Sequence, residues 1–190
     1  MLQERCVPLE QLFDGPSGLA SIGRLISTTG PGREVLLRRI GHLTLESLAA
    51  DVRAASLVAH PSVLKLLGFS RQPHGANLYL VSEFMVGASL LQIVEAARRR
   101  GRPLPGSVNL KVVHDALAAA FEVRRLLREI SDWRVGRTLF NDTIWVADFG
   151  ETLLSEVGVS QRLQLPDDAE GVENVDGDVF AAGAALRFLF

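Results

Sequence analysis

The apolar pattern changes character once, near Gly87, and that single change constrains the fold more than any other feature of the chain. Before it, strand-like stretches at Leu19 to Ser27 and Glu34 to Ile40 alternate with the turn clusters Asp14-Gly15-Pro16-Ser17-Gly18 and Thr29-Gly30-Pro31-Gly32, the pattern of an antiparallel meander starting near Leu9. Leu45, Leu48, Ala49, Val52, Ala55 and Leu57 then recur at helical spacing, which predicts one helix over Leu43 to Val58, ending before His60-Pro61. Strand character returns at Val63 to Phe69 and Asn77 to Phe84, around the exposed loop Arg71 to Gly75. Five strands and one helix are expected here. After Gly87 the period becomes helical, over Ser89 to Arg100 and over Ser107 to Arg128, with Ser107 as the N-cap. A short hairpin is expected from Arg137 to Phe140 and Thr143 to Ala147, turning at Asn141-Asp142. The result is an α+β chain with a β-rich first part, residues 1–85, and a mainly α second part, residues 86–190.

Composition narrows the classes of function. With 190 residues, 47% hydrophobic and 22% charged, the chain can bury a real core as one domain or two small lobes. A net charge of -2 gives no overall pull toward nucleic acid or anionic lipid. The single Cys6 cannot form an internal disulfide, there is no basic-then-apolar leader, and no apolar run approaches the ~18 residues of a spanning helix. A reducing, cytoplasmic compartment without a membrane span is expected. Lys65 and Lys111 are the only lysines, an arginine bias that points to a GC-rich, bacterial origin. Arg98-Arg99-Arg100-Gly101-Arg102 reads as a solvated helix end, with an acidic partner as the functional alternative.

The chemistry gathers around Asp148-Phe149-Gly150, which follows the β-branched and aromatic run Thr143-Ile144-Trp145-Val146. An Asp delivered by a strand into a Gly turn suits a metal or phosphate, although by itself it is an ordinary turn. At fixed distances around it stand Val35-Leu36-Leu37-Arg38, then His60-Pro61 with Ser62 to Gly68, then Leu78 to Met85, and downstream Asp178 to Gly183. In order and spacing this resembles the eukaryotic-like Ser/Thr protein kinase family, from the phosphate loop to the central helix of the second lobe.

The resemblance implies a two-lobe fold: a first lobe with a five-stranded antiparallel sheet and one helix, and a second, mainly α lobe truncated after its central helix. It also implies site residues. Gly15 and Gly18 fall in the phosphate loop, whose first glycine is Phe13 and where Pro16 removes a donor. Arg38 takes the place of the phosphate-binding lysine, and its planar fork does not reproduce a compact ammonium. Leu36 replaces the small residue against adenine, Leu139 belongs to the same cofactor set, and Ser82 falls at the gatekeeper position. Glu83 to Met85 form the hinge, and Asp51 stands where the helix acid would pair with Arg38. The catalytic loop maps onto Ile130-Ser131-Asp132, with Asp132 as a degenerate base, and the metal-binding Asn becomes Arg137. Asp148 remains as a metal ligand. A cation at Arg137 would repel a divalent ion that needs oxygen donors.

These departures point to a catalytically impaired pseudokinase that acts as a binding, scaffold or regulatory module with a protein partner. Weak ATP binding with little Mg²⁺ dependence is expected. Two alternatives stand beside it: an active Ser/Thr kinase using Arg38, Asp132 and Asp148, and a purely structural interaction domain with a filled pocket. Phe180, Leu186, Phe188, Leu189 and Phe190 would leave an apolar helix face uncovered, which predicts a longer parent chain or a homo-oligomer through 178–190.

Overall fold

The computed structural model describes residues 5–15, 17–26, 32–40, 45–71, 77–130, 139, 142–157, 159 and 182–183. Strands β1 (Arg5–Gly15), β2 (Gly18–Ile26) and β3 (Arg33–Ile40) form the expected meander, followed by helix α1 (Leu45–Ala55), β4 (Leu66–Arg71) and β5 (Leu78–Glu83). They make one antiparallel five-stranded sheet in the order β1-β2-β3-β5-β4. Because α1 intervenes between β3 and β4, β5 can pair with both. Along β3 Val35 to Arg38 are buried in succession between the exposed Glu34 and Arg39, as in a strand covered on both faces, while β2 alternates between buried and exposed from Gly23 to Ile26. Val63 falls outside β4 and makes only an isolated parallel bridge to Leu154.

Beyond β5 come β6 (Gly87–Ser89), α2 (Leu90–Arg99), α3 (Gly106–Ile130), β7 (Ile144–Ala147) and β8 (Thr152–Leu154). Helix α2 opens on a capping box in which Ser89 and Gln92 satisfy each other's backbone N–H groups. The cap expected at Ser107 is corrected. Helix α3 starts at Gly106, and the Pro105 carbonyl accepts from Val108 and Asn109, so Ser107 already lies inside the first turn. The strand partner expected for Thr143 to Ala147 is corrected: both edges of β7 are taken, by β6 on one side and β8 on the other, and the strand ends in the turn at Asp148 to Gly150. Residues 137, 138, 140 and 141 lie outside the described ones.

Three apolar clusters hold the elements together, and a fourth sits within the five-stranded sheet. Leu48, Val52 and Ala55 of α1 pack on Phe69, Leu78 and Leu80 of the sheet. Val112, Ala116, Ala120, Val123 and Leu127 of α3 pack on Leu90, Val94, Ile144 and Leu154, with Ala182 joining them. The spacing along α3 is that of one helical face. Phe13, Ala20 and Leu36 from the five-stranded sheet meet Leu64, Trp145, Ala147 and Leu153, so this cluster joins the two sheets. Cys6, Leu25, Val35, Leu37, Tyr79 and Val81 make the fourth. No described helix is long and apolar enough to cross a membrane.

Candidate functional site

The junction between the two sheets carries a buried cation. Arg38 sits near the middle of β3, where it pairs with Ala20 of β2 and Leu80 of β5, and its side chain is 1% exposed. A buried guanidinium needs partners for its fork. One nitrogen donates to the Gly18 carbonyl at 3.0 Å and the other to the Asp142 carbonyl at 3.0 Å. The carboxylates of Asp142 and Glu156 lie 3.6 and 3.5 Å from the same two nitrogens, and both are fully buried. The Phe13 ring covers the guanidinium carbon at 5.0 Å, a cation–π contact.

The turn between β1 and β2 closes on this centre. Ser17 donates to Asp142 twice, from its backbone N–H at 2.8 Å and its hydroxyl at 3.2 Å. Gly15 passes so close that a Cβ there would stand 2.8 Å from the Asp142 carboxylate, and one on Gly18, at φ +98°, would meet the Arg39 carbonyl at 2.6 Å. Those two glycines are needed where the chain docks on its own acid and backbone. Glu156 is held from the other side: Ser155 donates its N–H to the Thr143 carbonyl at 2.8 Å, and its hydroxyl bonds the Glu156 carboxylate. Glu156 has φ +50°, a left-handed conformation uncommon for a residue with a side chain. Among the described residues, Arg38 Nε and one Glu156 oxygen are buried without a hydrogen-bond partner. At Glu156 a left-handed backbone and an unpartnered buried oxygen thus coincide, as is common where a structure over-determines a local arrangement.

Beside the ionic centre lies an aromatic one. Trp145 is 1% exposed, and its indole N–H donates to the Met85 carbonyl at 3.1 Å, while Phe84 packs edge-on at 6.3 Å between ring centroids. Leu36, also buried, shares that cluster. Ser82, paired with Leu36 across β3 and β5, is buried, and its hydroxyl has no partner among the described residues. Leu36, Arg38, Gly15, Gly18 and Met85 thus lie in one region. Glu83 stays exposed at the end of β5.

Other anticipated residues lie elsewhere. Asp51 is half-buried on α1, and Arg38 directs its ion pairs to Asp142 and Glu156 instead of to it. The expected Arg38–Asp51 pair is therefore corrected: two acids closer to the guanidinium already hold it. Leu139 is buried in the α2–α3 core rather than in the cluster containing Leu36. Asp148, Phe149 and Gly150 are exposed and form a three-residue hairpin loop, with Gly150 at φ +85°. The Gly150 N–H donates to the Ala147 carbonyl and closes the turn, while the Asp148 N–H donates to the Val86 carbonyl just before β6. Among the described residues no cluster of three His, Cys, Asp or Glu side chains could hold a metal. Asp132, Arg137 and Asp178 lie outside the described residues, as do 184–190.

Asp142, Glu156, Ser17 and Trp145 were not singled out from the sequence. A signal existed for one of them: Glu156-Val157-Gly158 repeats the acid, apolar residue, glycine order of Asp148-Phe149-Gly150 and comes one residue after β8 ends. No family model matches the chain, and a search of curated proteins returns no match.

Proposed function

We propose that the chain is a protein-kinase-like module whose nucleotide cleft is filled by its own side chains, and that it works as a protein-interaction or scaffold element without phosphoryl transfer. The observation that carries this reading is the buried centre in which Arg38 is held by Asp142 and Glu156 under the closed β1–β2 turn. In the resemblance Arg38 stands for the lysine that holds phosphates; here that charge is already neutralised and the glycine turn that would cover phosphates is bonded to Asp142. A triphosphate would have to displace two carboxylates and break the Ser17 bonds.

The adenine end is filled on the same principle. An indole donating to Met85 of the hinge, with Leu36 beside it, takes the space and one of the backbone acceptors that a purine would use. The residues present do not fit ATP, nor Mg²⁺, since a guanidinium lies 3.5 to 3.6 Å from the two acids that could bind a cation.

This reading also moves the register of the resemblance. Glu156-Val157-Gly158 takes the acid-Phe-Gly place and Asp142 the place of the metal-binding Asn, because these acids meet Arg38. The spacing that put the base at Asp132 then puts it at Arg137, and a guanidinium cannot accept a proton. A thermal shift measured with ATP, with and without Mg²⁺, tests the proposal: no shift is expected at millimolar nucleotide. A saturable, Mg²⁺-dependent rise in midpoint would overturn it.

A further inference from the structure

If the front of the junction is filled from within, an interaction module must recognise its partner elsewhere, and the junction has a second opening. A crevice of about 420 Å³ lies on it, with a floor of Leu64, Met85 and Leu153 and a rim bearing Arg33, Glu34 and Glu83. That volume is within the range of ~300–1,000 Å³ typical of ligand pockets. Leu64 and Leu153 are each 3% exposed and present a small apolar surface, which Val63, Phe84 and Met85 extend.

Its walls are fixed by backbone bonds to both sheets. Leu64 donates to the Leu154 carbonyl at 2.9 Å and Leu154 to the Ser62 carbonyl at 2.8 Å, while Glu83 donates to the Lys65 carbonyl at 2.9 Å. The segment between α1 and β4 is thereby tied to β8 on one side and β5 on the other. The crevice is preformed, so an occupant need not pay to open it.

The rim decides the chemistry. Glu34 and Glu83 are exposed and make no ion pair among the described residues, and Arg33 is the single arginine on the rim. Two carboxylates against one guanidinium leave a net negative edge over an apolar floor. We infer that this crevice takes a peptide segment of a protein partner that places an apolar side chain on Leu64, Met85 and Leu153 and a basic residue against Glu34 and Glu83. The inference rests on the interaction-module reading only for the partner being a protein.

The probe is the capped tripeptide acetyl-Leu-Arg-Leu-amide, titrated into the ¹⁵N-labelled chain, with the same peptide carrying Glu in place of Arg as control. Saturable shifts of the Met85, Leu64 and Leu153 amides are expected, with the acidic peptide at least about ten-fold weaker, the equivalent of ~1.4 kcal/mol. The double reversal Glu34→Lys/Glu83→Lys should weaken the basic peptide by a similar factor, and Arg33→Glu should tighten it several-fold. All three positions are exposed, and an unchanged thermal midpoint for each variant keeps the comparison clean. Absence of saturable shifts, equal response to the acidic peptide, or Arg33→Glu weakening the basic one would each overturn the inference. The outcome is separable from the nucleotide experiment: Mg²⁺-ATP binding with this peptide response intact would remove the filled-cleft reading and leave the crevice standing.

Discussion

Two stretches of this chain run acid, apolar residue, glycine: Asp148-Phe149-Gly150 and Glu156-Val157-Gly158. The first is an exposed loop with Phe149 66% accessible, and the second begins with an acid that is fully buried against a cation. Their letters are nearly interchangeable and their energetics are not. An exposed turn Asp costs little to keep or lose, whereas a buried carboxylate exists only because Arg38 and Ser155 compensate its lost hydration. Burial and partners, not the tripeptide, mark the polar centre of the junction.

The sharpest way to break this contrast is to delete each acid in turn. Glu156→Ala leaves Arg38 buried with a lost partner and should cost about 3–5 kcal/mol of stability, read by urea denaturation. Asp148→Ala should stay within ~0.5 kcal/mol. Similar losses for the two would dissolve the distinction.

A smaller effect is expected from the aromatic pair. Trp145→Phe keeps a ring in the cluster but removes the donor to the Met85 carbonyl, for a loss of about 1–3 kcal/mol. Phe149→Leu, on the exposed loop, should leave the denaturation midpoint where it is. A change at Phe149 equal to that at Trp145 would mean that the loop is packed in solution.

The mildest test uses pH on α3. Lys111 bonds to Asp115 and, with His114 beside it, holds that carboxyl below its usual value despite some burial. A depressed folded value means that the contribution is present above the unfolded pKa of ~3.9 and is lost as the pH falls through the folded one. Between pH 5 and pH 3, Lys111→Met should therefore flatten the acid slope by only a few tenths of a kcal/mol, as befits an exposed i,i+4 pair. Glu122, lowered by the hydrogen bond from Arg125, follows the same sign. A large slope change would show that the Lys111–Asp115 pair is worth more than an exposed i,i+4 contact.

What was legible in the sequence follows the same division. Strand-like apolar runs, helical spacing and turn residues placed β2, β3, β5 and α1, because those signals are local. Leu36 and Arg38 were singled out only through the resemblance, as the adenine contact and the phosphate-binding cation, and not as the members of a buried ionic centre. The partners of Arg38 were not legible. Asp142 and Glu156 lie far along the chain, and only the pairing of β7 with β6 and β8 brings them to β3. Trp145 posed a related problem: strand parity sets it on the face opposite its neighbours Ile144 and Val146, but which face meets Leu36 depends on how the two sheets pack. The strand partner of Thr143 to Ala147 was misplaced because one edge of β7 is filled by β6, far back in the chain, and the other by β8.

A double-mutant cycle probes the account most directly. Arg38→Met is combined with Glu156→Gln in one cycle and with Asp148→Asn in the other, and stability is measured for every variant. Coupling above about 1 kcal/mol is expected for Arg38 with Glu156 and none beyond ~0.3–0.5 kcal/mol for Arg38 with Asp148. Strong coupling to Asp148 and additivity with Glu156 would contradict the arrangement of the junction on which everything above is built.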